Sequence, residues 1–249
     1  MAGALDDRWH RRRRRRGSGA PQGGWRVTLP AQREVAAFAR RLHESGWVAN
    51  HDGNASLRAS DGRRCYATPT ATSKRLVDAG DVITVDVEGK VLSGRHKLFG
   101  EWHLHAACFK ARPDVGAVLH AHPAHATALG LARKSLGVPA LPEMVVSLGK
   151  SVPTLDYAPP KSASQDQALA RALTDGDADA VLLAGNGVVT VGADLEQAYL
   201  RMELVEHYAR LVVLAAPLGG VTPLPEACVA KLLEARTKAG LGKAGRASR

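Results

Sequence analysis

Cysteine is scarce in this 249-residue chain: Cys65, Cys108 and Cys228 are the only three, and they lie far apart. An odd, widely spaced set argues against a disulfide framework and against a cysteine zinc site, and it favours a reducing, cytoplasmic setting. No run of about 18 apolar residues occurs, so no membrane-spanning helix is predicted. The N-terminal arginines are not followed by an apolar segment, so no secretion signal is predicted either.

A charged face of one sign is also missing from the body of the chain, although the formal net charge is +10. Residues 1–24 hold seven arginines against two aspartates, and residues 231–249 hold six basic side chains against one glutamate. The body between them is therefore neutral overall. We interpret residues 1–24 as a disordered Arg-rich arm and residues 231–249 as a basic C-terminal tail. The arm could bind RNA or an anionic surface, but we expect neither a nucleic-acid nor a membrane partner.

Hydrophobic periodicity predicts one α/β domain over residues 25–230. The predicted elements are a helix at 31–46, a hairpin around Asp61-Gly62, a hairpin around Glu88-Gly89, a helix at 100–113, a strand from 115, a helix from Pro123, a hairpin around 185–187 and a helix at 194–216. Asp194 is a candidate N-cap for the last helix.

Five of the ten histidines lie between residues 103 and 125, three of them in the stretch GAVLHAHPAHAT. Side chains alternate along a strand, so His120 and His122 should project from one face, opposite Leu119 and Ala121. Two neighbouring imidazoles at a strand end can hold one zinc, iron, manganese or cobalt ion. A pair of hydrogen-bonded histidines at a strand edge is the alternative.

The preceding helix carries a candidate acidic partner for these histidines. Glu101, His105 and Cys108 fall at i, i+4 and i+7 and should share one helix face. The connection from this helix to the histidine strand is short, so Glu101 could lie near the imidazoles and act as a ligand or a base. An ordinary first-turn glutamate, favoured by the helix dipole, is the alternative.

The ordered motifs GNASLR, TPTATSKR, VDVEGKVLSG, EWHLH, ARPDVGAVLHAHPAHATAL, YAPP and VLLAGNGVVTVGADLEQAY together resemble the class II aldolase/adducin family over about residues 31–215. This resemblance implies a three-layer α/β/α fold around a mostly antiparallel sheet. It also implies a homotetramer with active sites at subunit interfaces, a small-molecule substrate, and C–C cleavage through a metal-stabilised enediolate.

The resemblance also implies roles for individual residues. His120 and His122 match metal ligands, and Glu101 matches an acid/base residue that can approach the metal. Gly53 and Asn54 match a loop that contacts a substrate phosphate. Zinc is the expected ion, with Fe2+, Mn2+ and Co2+ as alternatives.

Two positions depart from the acid and metal residues of the family. Asn186 stands where the resemblance implies a third histidine ligand. Asn186 could ligate through oxygen, contact substrate, or leave a site of two histidines and one carboxylate, and loss of metal binding is a fourth outcome. Glu143 lies where sugar-phosphate members carry a tyrosine acid and could serve a neighbouring subunit's metal; a surface or interface glutamate is the alternative.

The phosphate-binding motifs depart as well. Leu98, Phe99 and Gly100 offer no hydroxyl where the family has serines. The second phosphate-binding turn keeps Thr70 and Thr72 as candidate substrate-binding residues but has Ala71 where the family has a glycine. Because a phosphate dianion needs several donors, we predict an unphosphorylated substrate, with a carboxylate or an aromatic ring that Phe99 could contact.

We therefore predict a metal-dependent lyase, an aldolase or a decarboxylase, that acts on a small hydroxy or oxo acid or a sugar-derived substrate. Both reactions pass through a metal-stabilised enolate, so the sequence does not separate them. The alternatives are a non-haem Fe(II) oxygenase on the same fold and a non-catalytic adducin-like interaction module.

Overall fold

The computed structural model describes residues 29–247, and the Arg-rich arm predicted at residues 1–24 lies outside this range. The elements in chain order are α1 Pro30–Glu44, β1 Asn54–Arg58, β2 Arg64–Ala67, β3 Ile83–Asp86, β4 Val91–Ser93, α2 Trp102–Ala111, β5 Ala117–Ala121, α3 Ala124–Leu131, α4 Pro142–Leu148, β6 Thr154–Leu155, α5 Ala163–Thr174, β7 Ala180–Leu183, β8 Val188–Gly192, α6 Leu195–Ala215, α7 Glu226–Lys238 and α8 Gly242–Ala247. Within the described range, no helix has both the length and the apolar character that a bilayer span requires.

The eight strands form one sheet in the order β4-β3-β2-β1-β5-β8-β7-β6. Neighbouring strands are antiparallel except β6 and β7, which are parallel. The three predicted hairpins are present as β1–β2, β3–β4 and β7–β8. The histidine strand β5 lies in the middle, between β1 and β8, and is buried along its whole length.

Helices cover both faces of the sheet. One apolar core lies between the sheet and helices α1, α3, α4 and α6, and a second lies between the sheet and helices α2 and α5. Side chains of β5 alternate between the two cores: Leu119 and Ala121 pack in the first and Val118 packs in the second. The predicted three-layer α/β/α fold with a mostly antiparallel sheet is confirmed.

The C-terminal segment differs from the basic tail predicted at residues 231–249. Over the described residues it belongs to α7 and α8, which pack on the domain, and Arg236 is only 3% exposed. The guanidinium of Arg236 donates to Asp179 Oδ2 at 2.7 Å and to the carbonyl of Ser147 at 2.7 Å. The charge count alone gave no sign that Arg236 is buried. Its charge is compensated by a buried carboxylate.

Candidate metal and catalytic site

The Nε2 atoms of His120 and His122 lie close together. His120 is fully buried, and its Nδ1 lies 3.0 Å from the carbonyl oxygen of Val188. Because a carbonyl only accepts, Nδ1 carries the proton and Nε2 keeps its lone pair. His122 follows the end of β5, and its Nε2 lies 3.3 Å from His120 Nε2. Burial, and after it the neighbouring His120, lowers the pKa of His122, which favours the neutral form that ligates metals.

Glu101 completes the cluster from the N-terminus of α2. Its Oε1 lies 3.3 Å from His120 Nε2. Asn54 Nδ2 donates to Oε2 at 3.0 Å, and Asn186 Nδ2 donates to Oε1 at 2.9 Å. Burial alone would raise the pKa of Glu101, but His120, when its ring is protonated, and the two amide donors outweigh burial and hold this pKa far below its usual range. Glu101 is therefore a carboxylate at neutral pH.

The donor set fits a divalent ion. Two nitrogens bound to one tetrahedral zinc at about 2.0–2.1 Å stand about 3.3 Å apart. The Nε2 atoms of His120 and His122 have this separation, 3.3 Å. No group of three or more His, Cys, Asp or Glu side chains within residues 29–247 meets the geometry of a complete metal site. The structure thus presents two preorganised imidazoles with a carboxylate beside one of them.

Asn186 occupies the tight turn between β7 and β8, and β8 pairs with the histidine strand β5. Gly185 and Gly187 flank it with φ values of +75° and +67°, which favour glycine. A Cβ on Gly187 would collide with the carbonyl of Ala121 and, at 2.5 Å, with the ring of His122. The Asn186 amide donates to Glu101, so the residue in the expected third-histidine position contacts the carboxylate.

The residues expected to bind substrate divide into two groups, and the first lies at the cluster. Gly53 has φ +69° just before β1, where a Cβ would collide with Val48. Asn54 is 2% exposed, pairs with His120 in the β1–β5 register and donates to Glu101. Its side chain is therefore already hydrogen-bonded within the protein.

The second group lies on neighbouring segments. The Thr70 amide donates to the carbonyl of Lys97 at 3.0 Å, and the exposed Ala71 has φ +52°, a left-handed value at the position where the family has glycine. Phe99 is 7% exposed and its ring packs against the core. Glu143 is exposed in the first turn of α4 and makes no hydrogen bond or ion pair with the cluster in the described part of the chain.

Sequence reasoning missed two buried polar residues near the site. His105 is fully buried and hydrogen-bonds Asn54; its spacing from Glu101 placed it on the right helix face but gave no partner. Lys74 is 2% exposed, and its Nζ donates to the carbonyls of His51 at 2.9 Å and Thr72 at 3.2 Å. The motif TPTATSKR contains Lys74 but gives no sign of its burial, because the carbonyl of His51 lies 23 residues away in the sequence.

The fold and this cluster can be compared with known proteins. The family described as Class II Aldolase and Adducin N-terminal domain matches residues 33–213. An L-fuculose phosphate aldolase of Methanococcus maripaludis is 31% identical over 179 residues, 72% of this chain and 93% of that protein. A 3-oxo-tetronate 4-phosphate decarboxylase of Haemophilus influenzae is 32% identical over 190 residues, 74% of this chain and 88% of that protein.

A solved structure of L-fuculose 1-phosphate aldolase superposes with a TM-score of 0.76 at 26% identity and covers 85% of this chain and 98% of its own. The family match over residues 33–213 includes His120, His122 and Glu101. The chain therefore belongs to the class II aldolase and adducin N-terminal domain family.

Proposed function

We propose that the protein is a metal-dependent lyase that breaks a C–C bond by aldol cleavage or decarboxylation. The observation that carries the proposal is the pair of Nε2 atoms 3.3 Å apart beside an ionised Glu101. The names of the relatives, an aldolase and a decarboxylase, support the same reaction class.

A divalent ion, zinc in our proposal, would be held by His120 and His122 with Glu101 as a further ligand or as the base. When bound, such an ion polarises the substrate oxygens and favours negative charge on them. The protein orients the imidazole of His120, because the Val188 carbonyl fixes a proton on its Nδ1. The amides that hold Glu101 ionised leave it with no proton to donate at neutral pH, and its lowered pKa makes it a weak base. A separate acid is therefore needed.

We propose a small anionic substrate, a hydroxy or oxo acid or a sugar derivative. The buried ammonium of Lys74 supports this choice, because the hydrogen-bond partners named above are neutral carbonyls that do not compensate its charge. Burial lowers its pKa to about 8, so it is still mostly charged at pH 7. Leu98, Phe99 and Gly100 supply no hydroxyl to a phosphate, which favours an unphosphorylated acid. The ring of Phe99 packs in the core, so we propose no aromatic contact between Phe99 and the substrate.

We further propose a cytoplasmic homotetramer whose sites lie between subunits. Exposed apolar side chains near the end of α6 support association: Leu214 is 56% and Leu218 86% exposed. Glu143 is exposed and makes no hydrogen bond or ion pair with its own subunit's cluster in the described range, so we assign it as the acid of a partner subunit's site.

The test measures bound metal and turnover separately. Zinc-loaded protein is assayed for aldehyde release from L-fuculose 1-phosphate and for CO2 release from 3-oxo-tetronate 4-phosphate, each beside its unphosphorylated analogue. We expect His122→Ala to lose zinc, and Glu101→Gln to keep zinc but lose turnover. His125→Ala is the matched control, because His125 bonds Glu206 on α6 and should keep both.

Two results would contradict the proposal. Protein that purifies without stoichiometric metal and binds none on titration would favour a non-catalytic interaction module. Oxygen consumption with Fe2+, lost under anaerobic conditions, would instead indicate an oxygenase.

A further inference from the structure

We propose that Ser56 and His105 are positioning residues that fix the amide of Asn54, and through it the carboxylate of Glu101, in a single orientation. The proposal rests on the function given above to Glu101. The hydrogen-bond chain itself can be tested without that function.

The direction of every hydrogen bond in this chain follows from the carboxylate. A carboxylate only accepts, so the group of Asn54 that lies 3.0 Å from Glu101 Oε2 is its NH2. The Asn54 carbonyl oxygen then faces His105 Nε2 at 2.6 Å, which requires the proton on Nε2. His105 Nδ1 is left as an acceptor for the Ser56 hydroxyl at 2.6 Å. All three bonds are compatible with one arrangement of protons.

Burial makes this arrangement persistent. Ser56 and His105 are fully buried and Asn54 is 2% exposed, so water does not compete for their hydrogen bonds. Burial, with a smaller contribution from His120, lowers the pKa of His105 to about 3. A neutral imidazole has one donor and one acceptor, and the chain uses both.

Aromatic packing holds the His105 ring in place. The ring stacks on Trp102 with centroids 5.9 Å apart and an interplanar angle of 18°. Phe99 meets it edge-on at 5.0 Å. These contacts give Phe99 a structural reason for its position, as a support for His105.

The consequence concerns the rotation of the Asn54 amide. A flipped amide would set its carbonyl oxygen against Glu101 Oε2, and the two oxygens repel each other. The N–H of His105 selects the other orientation, because it requires the Asn54 carbonyl on its own side. The second donor to Glu101, Asn186, comes from a half-exposed turn.

The first test needs no substrate. Long-range 1H–15N spectra of the wild-type protein should show His105 neutral and protonated on Nε2 from about pH 5 to 8. A proton on Nδ1, or an imidazolium in this range, would overturn the chain of donors.

The second test compares two leucine variants on the same helix. His105→Leu removes the chain, whereas His103→Leu removes a histidine that bonds Asp166 at 2.6 Å outside it. We expect His105→Leu to shift the side-chain amide signal of Asn54 and to lower kcat about 10- to 100-fold with little change in KM. His103→Leu should change neither.

A conservative variant guards against a purely structural effect. His105→Gln places an amide N–H near the position of Nε2 and should restore part of the Asn54 signal and of kcat. The proposal is overturned if His105→Leu leaves both unchanged, or if His105→Gln is no better than His105→Leu. If no substrate turns over but the tautomer and the Asn54 shift are as expected, the lyase assignment fails and the hydrogen-bond chain stands.

Discussion

At the scale of single residues, two asparagines hold the carboxylate of the candidate base. Asn54 and Asn186 each donate to a different oxygen of Glu101, at 3.0 and 2.9 Å. Hydrogen bonds to the charged form of an acid favour that form. Asn186 donates its bond at the place where the family resemblance implies a third imidazole. We propose that it holds Glu101 there and does not ligate the ion.

An imidazole at position 186 should change the affinity for the metal. We expect Asn186→His to bind zinc at least about tenfold more tightly, because even the loss of a partner behind a metal ligand changes affinity by about 10–100-fold. Competition with a chromophoric chelator measures this. Asn186→Leu is the control, since it also loses the bond to Glu101 but adds no imidazole. Weaker binding by Asn186→His than by Asn186→Leu would mean that this turn does not face the ion.

At the scale of elements, one buried carboxylate joins four helical segments. Asp179, just before β7, is fully buried. It pairs with Arg112 at the end of α2, Arg201 of α6 and Arg236 of α7, at 2.7, 2.9 and 2.7 Å. Arg246 of α8 lies 3.5 Å away. Burial raises the pKa of Asp179, but the arginines lower it further than burial raises it.

Removing this carboxylate should loosen the C-terminal helices. Asp179→Asn leaves buried guanidinium groups without compensation, and breaking a buried pair in this way costs about 3–5 kcal/mol of unfolding free energy. Urea unfolding measures the loss. Asp156→Asn is the matched control, because Asp156 pairs with Arg133 at the surface and its side chain is 95% exposed. Equal midpoints for the two variants would refute the structural role of Asp179.

The elements that could be predicted are those with a local signal. Asp194 caps α6 through Gln197 as its sequence indicates, and alternation alone placed Leu119 and Ala121 opposite Val118. Helix α7 was missed although Val229 and Arg236 recur at helical spacing, because a basic side chain gives no sign of burial. The partner of Asn54 depends on the β1–β5 register, which joins segments more than 60 residues apart and has no local signature.

At the scale of the whole molecule, the proposed site is incomplete in one subunit. Glu101 is held as a carboxylate and has no proton to donate at neutral pH. The candidate donor, Glu143, begins α4 at the surface, and α4 packs against α6 and α7. We therefore propose that a site with both residues forms where two copies of the chain meet.

Mixing two inactive variants tests this shared site. Glu101→Gln and Glu143→Gln should each lose turnover as pure proteins, because one lacks the proton acceptor and the other the donor. After unfolding and refolding together at equal amounts, about one quarter of the sites should combine an intact Glu101 from one subunit with an intact Glu143 from its neighbour. Activity should therefore return to about a quarter of wild type. Mixed protein that stays inactive would place both residues in the same subunit's site. An active pure Glu143→Gln variant would remove Glu143 from the reaction.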